Sequence, residues 1–467
     1  MLVHCIENSS ANYLVYFPIA QELRIQCARL YRIEKLKENY MKIKIKDMKY
    51  EDVLTHPVER HKNPLRTSIV FRTLLKLLSV PELRSVNFTC RKIGMEKLGK
   101  NEPCLFLMNH SSFIDLKIAS SILYPRAFNI VCTSDAFVGK SSLMRLIGCI
   151  PTKKFVTDAV LVRDMLYAVR ELKSSVLLFP EAGYSFDGTA TLLPESMGKC
   201  LKMMKVPVVM IRTYGAFARD PLYNNLQLRK VDVSADMEYV LSPEDIAAKS
   251  PEELNSILAE QFSFDNFRWQ QENKIRIEEA FRADFLNRVL YKCPACSTEG
   301  RLLGKGTKLT CGCCGKEYAL TEYGYLEAAE GETEYPHIPD WYRWERESVR
   351  KELLDGSYEL DVPVDICMLT DMKSIYRVGE GRLRHTIEGF RLTGCDGKLD
   401  YTQNPSASYS ICSDYYWYEV GDVICIGNRE ALYYCFPKDS GDVVAKTRLA
   451  AEELYKIVKE KRNRKEG

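Results

Sequence analysis

Short apolar runs that alternate with amphipathic stretches constrain the fold most strongly. Helix-like segments such as 158–172 and 198–204 separate these runs. Strands that alternate with helices predict an α/β fold, a mostly parallel sheet flanked by helices. In such a sheet, binding sites form beyond the carboxyl ends of the strands. The four apolar runs, all between residues 81 and 262, are Cys104–Met108, Asn129–Cys132, Val176–Phe179 and Val206–Ile211.

The composition of the 467-residue chain changes several times outside this region. Residues 263–290 are charged and helix-like, residues 291–320 are rich in cysteine, and alternating apolar and polar residues with Gly, Asn and Asp turns dominate after about residue 360. We therefore expect six segments: a helical N-terminal extension at 1–64, the α/β domain at 65–262, a helical connector at 263–290, a small cysteine-rich unit at 291–320, a linker at 321–358, and a β-rich domain closed by a helix at 359–467.

Charge and cysteine usage argue against several classes of protein. A net charge of +3 does not indicate a dedicated nucleic-acid binder, so no nucleic-acid partner is expected. Most of the 17 cysteines are scattered among apolar segments, which favours a reducing cytosol over a disulfide framework. We find neither a signal peptide nor an apolar run of ~18 residues that could span a bilayer.

One basic amphipathic segment, Thr67–Val80, bears on membrane contact. Its apolar residues recur at helical spacing, with Arg72 and Lys76 between them. Such a helix can lie in the membrane interface, and it can equally pack on the protein core. Together with the expected cytosolic location, the first alternative predicts a cytoplasmic protein that is peripheral on the inner face of a membrane.

The first candidate site follows the run Cys104–Met108. That run leads into Asn109, His110 and two serines, and Asp115 lies five positions after His110. Ser112 can cap a following helix, and a break before that helix would let Asp115 reach the imidazole. A histidine can take a proton from an alcohol near neutral pH, and a carboxylate behind it fixes the tautomer. The same spacing from Ser112 to Asp115 also fits a capping box without any catalytic role.

A second polar segment follows another apolar run. The run Val176–Phe179 leads into Pro180-Glu181-Ala182-Gly183-Tyr184-Ser185. Backbone N–H groups in such a loop can hold phosphate or carbonyl oxygens, although a loop of this kind is more often a structural turn.

Taken in order, these blocks resemble the lysophosphatidic acid and glycerolipid acyltransferase family. The matching blocks are Asn109-His110-x-x-x-x-Asp115, Gly148-Cys-Ile-Pro-Thr-Lys153-Lys154, Phe179-Pro180-Glu181-x-x-x-Ser185 and Val206-Pro207-Val208-Val209. The resemblance covers roughly residues 65–260, and it implies a glycerolipid acyltransferase-like fold for the α/β domain.

The resemblance also implies an activity, an O-acyltransferase like those that act on 1-acylglycerol-3-phosphate. A fatty acyl group would move from acyl-CoA or an acyl-carrier-protein thioester to a hydroxyl of a lysophospholipid at the membrane surface. His110 would be the general base, and Asp115 would orient it. The substrate-binding residues would be Asn109, Ser112, Lys153, Lys154, Glu181, Gly183, Tyr184 and Ser185.

One position departs from the family pattern. The third block of the family usually reads Glu-Gly-Thr-Arg, and its arginine suits bidentate binding of phosphate. This chain has Glu181-Ala182-Gly183-Tyr184, and Tyr184 carries no such charge. Either the acceptor is not a simple glycerol phosphate or another residue supplies the charge. The basic residues in question are Lys153, Lys154, Arg212 and Arg219.

A cysteine cluster predicts a zinc ribbon. The pairs Cys293-x-x-Cys296 and Cys311-x-x-Cys314 are separated by fourteen residues and offer four thiolates to a tetrahedral Zn²⁺. A closed four-cysteine site has no open coordination position, so this zinc would stabilise folding and would not catalyse. The alternative is a β-hairpin with reduced, free cysteines.

The last segment resembles a pleckstrin-homology-like domain, because about seven short predicted strands precede a helix at 443–461.

Three alternative functions remain open besides that of an acyltransferase. The protein could be a non-catalytic lipid-binding scaffold with an acyltransferase-like fold, a thioesterase-like hydrolase in which His110 activates water, or a zinc-ribbon protein that binds nucleic acid.

Overall fold

The computed structural model describes residues 43–57, 60–156, 158–438 and 441–466. Residues 1–42, most of the expected N-terminal extension, lie outside the described residues, and the six-segment division of the chain stays a prediction. In chain order, the elements of the first part are β1 (Ile45–Asp47), α1 (Tyr50–Leu54), α2 (Ile69–Ser85), β2 (Thr89–Ile93), β3 (Leu105–Met108), α3 (Asp115–Ile122), β4 (Phe128–Thr133), α4 (Ser141–Leu146), β5 (Cys149–Thr152), α5 (Ala159–Arg170), β6 (Ser175–Leu178), α6 (Met197–Met204), β7 (Val208–Tyr214), α7 (Ala216–Arg219), β8 (Ser234–Leu241), α8 (Pro243–Ala248), α9 (Pro251–Phe262) and α10 (Asn266–Glu272).

The second part of the chain is rich in β-structure. Its elements are β9 (Leu302–Lys305), β10 (Lys308–Cys311), β11 (Glu317–Leu320), β12 (Leu326–Ala328), α11 (Ile338–Asp355), β13 (Leu360–Leu369), β14 (Ile375–Thr386), β15 (Gly389–Gly394), β16 (Leu399–Gln403), β17 (Cys412–Trp417), β18 (Gly421–Gly427), β19 (Leu432–Pro437) and α12 (Val443–Glu466). Within residues 263–290, expected to be a helical connector, helix is confined to α10 and a 3₁₀ turn at Leu286–Arg288.

A seven-stranded sheet forms the centre of the first part, in the order β2-β8-β7-β3-β6-β4-β5. Strands β3 to β7 are parallel to one another, whereas β8 runs antiparallel to β7 and carries β2 beside it. The expected mostly parallel sheet with flanking helices is therefore confirmed. The four expected strands correspond to β3, β4, β6 and β7, with ends shifted by up to three residues, while β2, β5 and β8 were not expected.

Side chains alternate between two cores on the faces of this sheet. On β3, Leu105 and Leu107 pack into one core, and Phe106 and Met108 pack into the other. All four side chains are buried. A strand covered on both faces needs apolar residues at every position, which explains the uninterrupted apolar run.

The C-terminal sheet has the strand order β16-β15-β14-β13-β19-β18-β17, and β1 adds to β14. A separate four-stranded antiparallel sheet has the order β12-β11-β10-β9. Of the clustered cysteines, Cys293 and Cys296 precede β9, Cys311 ends β10, and Cys314 lies between β10 and β11. The C-terminal sheet lies against the carboxyl end of the seven-stranded sheet. Trp417 Nε1 donates to Asp135 Oδ2 (3.3 Å), and the rings of Phe186 and Tyr415 lie 4.5 Å apart.

Helix α2, which contains most of the basic amphipathic segment, presents an apolar surface to solvent. Its first turn is capped by Ser68, whose Oγ accepts the N–H of Phe71 (3.3 Å). Val70, Leu77 and Leu78 are 72%, 62% and 65% exposed. No helix in the described ranges is long and apolar enough to cross a bilayer.

Candidate active site

The loop between β3 and α3 brings His110 and Asp115 together. His110 Nδ1 lies 3.0 Å from Asp115 Oδ2. The same oxygen accepts the backbone N–H groups of Ser111 (3.0 Å) and Ser112 (3.1 Å). Helix α3 begins only at Asp115, so residues 109–114 form the break that lets the carboxylate face the imidazole. Because Asp115 holds Nδ1 as a donor, Nε2 is the ring nitrogen that can accept a proton.

Burial and the neighbouring carboxylate act on the pKa of His110 in opposite directions. Burial lowers the pKa below the usual histidine range, and the hydrogen bond to Asp115 offsets only part of this effect. The imidazole is therefore neutral at neutral pH, as a general base must be. Asp115 Oδ1 is buried and has no hydrogen-bond partner among the described residues, so Oδ2 carries the whole network.

Glu181, in the loop after β6, supports the backbone of His110. Its Oε2 accepts the N–H of His110 (3.0 Å), and its Oε1 accepts the N–H of Thr191 (2.8 Å). Burial raises the pKa of Glu181 to about 7. The next residue, Ala182, has φ +56° and donates its N–H to Phe179 O (3.1 Å), which closes a tight turn.

Two aromatic side chains enclose the imidazole of His110. The ring centroids of Phe179 and Tyr184 lie 4.3 Å and 4.0 Å from that of His110. The carbonyl oxygen of Tyr184 accepts Nη1 of Arg448 from α12 (3.1 Å). The loop is thus held from the C-terminal helix, and the His110 side chain stays 19% exposed.

Asn109, Ser112, Gly183 and Ser185 shape the surroundings of the pair. Asn109 Oδ1 accepts the N–H of Thr213 (2.8 Å) and joins the end of β3 to β7, while Ser112 Oγ donates to Asp220 Oδ1. Ser185 Oγ donates to Thr189 O (2.6 Å). Apart from Gly183 itself and its chain neighbours, no atom of the described residues lies within 4 Å of the place where a Cβ on Gly183 would stand. Asp220 was not predicted from the sequence, in which it is marked only as a polar residue soon after the end of β7.

Residues 89–213 match the protein-family model Acyltransferase. Residues 89–213 form an acyltransferase domain. Among solved structures, a similar one is the 1-acyl-sn-glycerophosphate (LPA) acyltransferase PlsC from Thermotoga maritima. The two chains are 16% identical, the match covers 44% of this chain and 80% of that one, and the TM-score is 0.34. A comparison with curated proteins found no match.

The basic residues in and around the acyltransferase domain differ in their surroundings. Lys153 Nζ donates to the carbonyl oxygens of Arg429 (2.6 Å) and Glu430 (3.3 Å). Arg212 donates to Gln261 O (3.2 Å from Nε), and Arg219 pairs with Asp220 (2.9 Å). Protein groups therefore engage three of the four candidate charges for phosphate.

Lys154 is the fourth candidate, and it faces carboxyl groups. Burial lowers the pKa of Lys154, but nearby Cys412, Asp414 and Asp135 outweigh burial and raise it above the usual range, which keeps the ammonium charged. The same ammonium contributes to lowering the pKa of His110. Asp135 Oδ1 and Asp414 Oδ1 are buried without a hydrogen-bond partner in the described part of the chain. Lys154 is thus a positive charge near the His110–Asp115 pair, and it has carboxyl groups beside it.

Four cysteine sulfurs form a second site, remote in sequence from the acyltransferase domain. The sulfur atoms of Cys293, Cys296, Cys311 and Cys314 all lie within 4.8 Å of one another. The Sγ atoms of Cys293 and Cys314, and those of Cys296 and Cys311, are 3.8 Å apart. Zn–S bonds of about 2.3 Å in a tetrahedron require S···S separations of roughly 3.8 Å. The donor set and its spacing therefore fit a four-coordinate metal ion.

Proposed function

We propose that this protein is an O-acyltransferase that moves a fatty acyl group from a thioester to a hydroxyl of a lysophospholipid-type acceptor. The observation that carries the proposal is the contact of His110 Nδ1 with Asp115 Oδ2 inside the acyltransferase domain. A neutral imidazole whose tautomer is fixed by a carboxylate is suited to remove a proton from an alcohol.

In the proposed reaction, His110 Nε2 takes the proton of the acceptor hydroxyl as its oxygen attacks the thioester carbonyl carbon. The new C–O bond forms, the C–S bond breaks, and the thiolate leaves. The imidazolium then returns the proton to the sulfur. Asp115 stabilises the imidazolium and holds the ring, and Glu181 fixes the backbone of His110 through its N–H.

The charges around Lys154 bear on the acceptor. The Lys154 ammonium stays charged, whereas burial raises the pKa of Asp414 to about 7 and also raises that of Asp135, which favours their neutral forms. The site therefore offers an acceptor at most one positive charge, enough for a single negative charge. The uncharged Tyr184 adds no cation. We infer that a lysophospholipid with a phosphodiester headgroup, which carries one negative phosphate charge, is accepted better than a phosphate monoester.

The route into the site favours a lipid acceptor. Phe113 and Leu116, which flank Asp115, are 51% and 40% exposed, and α2 packs beside α3 with its apolar face in solvent. We propose that this surface rests on a membrane, so that the lysolipid enters from the bilayer. The enzyme would be peripheral on the cytoplasmic, inner face, and acyl-CoA or acyl carrier protein would bring the donor.

Two further assignments belong to the same proposal. The four cysteines hold structural Zn²⁺ in a zinc ribbon, which links the cysteine turns and carries no catalytic step. The seven strands β13–β19 and the closing helix α12 support a pleckstrin-homology-like domain.

The experiment is acyl transfer by the full chain from long-chain acyl-CoA and from acyl carrier protein. The acceptors are phosphodiester lysophospholipids, lysophosphatidic acid and glycerol 3-phosphate. Transfer to the phosphodiester lysolipids is expected. Thioester hydrolysis without transfer would replace the proposal with a thioesterase. Lysolipid binding without either reaction would replace it with a lipid-binding scaffold.

A further inference from the structure

A cleft at the opposite end of the acyltransferase domain carries a concentration of positive charge. It has a volume of about 330 Å³ and lies at the amino ends of β3, β4 and β6, where Pro103, Ala127 and Ser175 line it. Pro103 is seven residues before His110, and a strand rises ~3.3 Å per residue, so roughly 20 Å separates the cleft from the catalytic pair. The cleft is therefore distinct from the proposed active site.

Six basic side chains line this cleft against one carboxylate, that of Glu102. Two of the six have fixed positions. Arg126 donates to the carbonyl oxygens of Glu102 (2.5 Å) and Gly99 (2.9 Å), and Arg72 donates to that of Pro125. Carbonyl oxygens orient a guanidinium without neutralising it. The six basic residues are Arg66, Arg72, Lys92, Lys100, Arg126 and Lys173.

The other four cations stand at an exposed rim. No carboxylate of the described residues forms an ion pair with Arg66, Lys92, Lys100 or Lys173, each of which is exposed. Burial lowers the pKa of Arg72, and the nearby positive charge of Arg66 lowers it further. Six positive charges around a cleft that a single carboxylate lines repel one another, and a bound anion would reduce this repulsion.

The walls of the cleft and its place on the surface indicate what kind of anion fits. Apolar side chains such as Ile122 and Leu123 form part of the wall beneath the basic rim. Arg72 belongs to α2, and its neighbours Ile69, Val70 and Leu74 are 48%, 72% and 47% exposed. The basic rim thus borders the apolar face of α2.

We propose that this cleft is a binding site for a phosphate group, and that an anionic membrane lipid supplies it. The guanidinium groups of Arg72 and Arg126 and the rim lysines contact the phosphate, while the apolar wall receives the first carbons below the headgroup. The site does not rest on the proposed catalysis. It would anchor the end of α2 that is remote from His110.

The test measures binding of the full-length protein to vesicles of phosphatidylcholine alone and of phosphatidylcholine with phosphatidylglycerol. The variant is Lys100→Gln with Lys173→Gln, and the matched control is Lys199→Gln with Lys230→Gln, two exposed lysines outside the cleft. Each lysine near an anionic membrane surface contributes favourable binding free energy. The loss of two such lysines should weaken phosphatidylglycerol-dependent binding roughly 30-fold. Binding to phosphatidylcholine alone and the melting temperature should not change.

A second arm separates a lipid source from free phosphate. Inorganic phosphate is titrated while the melting temperature of the wild type and of both double variants is followed. A rise in melting temperature that the cleft variant alone loses, without a change in vesicle binding, supports the phosphate site and assigns it to a soluble ligand. Equal phosphatidylglycerol-dependent binding by wild type and cleft variant, with no phosphate effect on any form, overturns the proposal.

Discussion

Two carboxyl groups hold His110, one at its imidazole ring and the other at its backbone, and their roles differ. Asp115 faces the ring, and Glu181 accepts the backbone N–H. Asp115 Oδ2 accepts two backbone N–H groups besides facing the ring, whereas burial raises the pKa of Glu181 to about 7. Asp115 therefore orients the imidazole, while Glu181 holds the backbone of His110.

The raised pKa of Glu181 predicts a dependence of stability on pH. The folded protein holds this proton up to about pH 7, and the unfolded chain releases it near the ordinary value of 4.5. The free energy of unfolding therefore falls as pH rises from 4.5 to 7, by up to about 3 kcal/mol from this group. Glu181→Gln should remove this fall and add a pH-independent cost of about 1–3 kcal/mol for mismatched hydrogen bonds. Urea unfolding at several pH values measures both, and parallel stability curves for the two proteins would contradict the assignment.

The turn after Glu181 shows what the sequence could and could not indicate. The family pattern places a glycine directly after the glutamate, and here that place holds Ala182 with φ +56°. The strain explains why a glycine is usual there. The sequence indicated the two polar loops and the His110–Asp115 pair, because both lie in local segments at strand ends. Asp220 and Asp414 join the surroundings through contacts across more than one hundred residues, which local patterns do not encode.

Helix α2 packs on the protein but leaves several apolar side chains exposed. Only Ser79 and Leu83 of its seventeen residues are buried, so packing on the protein explains little of its apolar content. A helix with an unpartnered apolar face and basic residues beside it is typical of a membrane-surface helix. Helix α2 packs against α3 and also presents Leu77 and Leu78 to solvent. The membrane-interface alternative stays a prediction.

The exposed leucines of α2 provide a test of membrane contact. Leu77→Glu with Leu78→Glu should weaken vesicle binding by about 100-fold or more, because each leucine contributes about 1.5–3 kcal/mol when buried in an apolar phase. The melting temperature should stay the same, since both side chains are already in solvent. Leu303→Glu is the matched control, because Leu303 is 60% exposed on β9. Equal weakening by the control, or none in the α2 variant, would exclude α2 as the membrane contact.

A second prediction at the scale of elements concerns the cysteine cluster beside the four-stranded sheet. The folded protein should contain one equivalent of zinc. Cys314→Ser should lose most of the metal and lower the melting temperature, because a structural site contributes folding free energy. Cys313→Ser is the control: Cys313 is the adjacent, exposed cysteine and lies outside the sulfur cluster. Elemental analysis of the purified proteins measures the metal. A metal-free wild type that folds equally well with and without added zinc would contradict the ribbon.

Across the whole molecule, the C-terminal sheet and α12 complete the surroundings of a site whose proposed base lies in the acyltransferase domain. Arg448 holds the carbonyl of Tyr184, Asp414 lies near Lys154, and the loop before β19 accepts Lys153. The sequence predicted the α/β sheet and the β-rich C-terminal region separately, from periodicity. It could not predict that one packs on the other, because that contact depends on tertiary packing between distant segments.

This packing predicts different roles for the neighbouring Lys153 and Lys154. Lys153→Met removes hydrogen bonds to two carbonyl oxygens of the C-terminal sheet, so it should lower the free energy of unfolding by about 1 kcal/mol and leave the acceptor KM unchanged. Lys154→Met removes the charge near the proposed catalytic pair and should raise the acceptor KM about 10-fold, a loss of roughly 1.4 kcal/mol of binding free energy. Steady-state kinetics and urea unfolding distinguish the two. The opposite pattern would assign Lys153 to the substrate.

The most direct test of the central claim compares acyl transfer by the wild type and by His110→Ala with the best lysophospholipid acceptor. Loss of a general base should reduce the rate about 10²–10⁴-fold, while the melting temperature and the zinc content show that the variant is folded. Transfer at the wild-type rate by a folded His110→Ala protein would contradict the claim that His110 is the base.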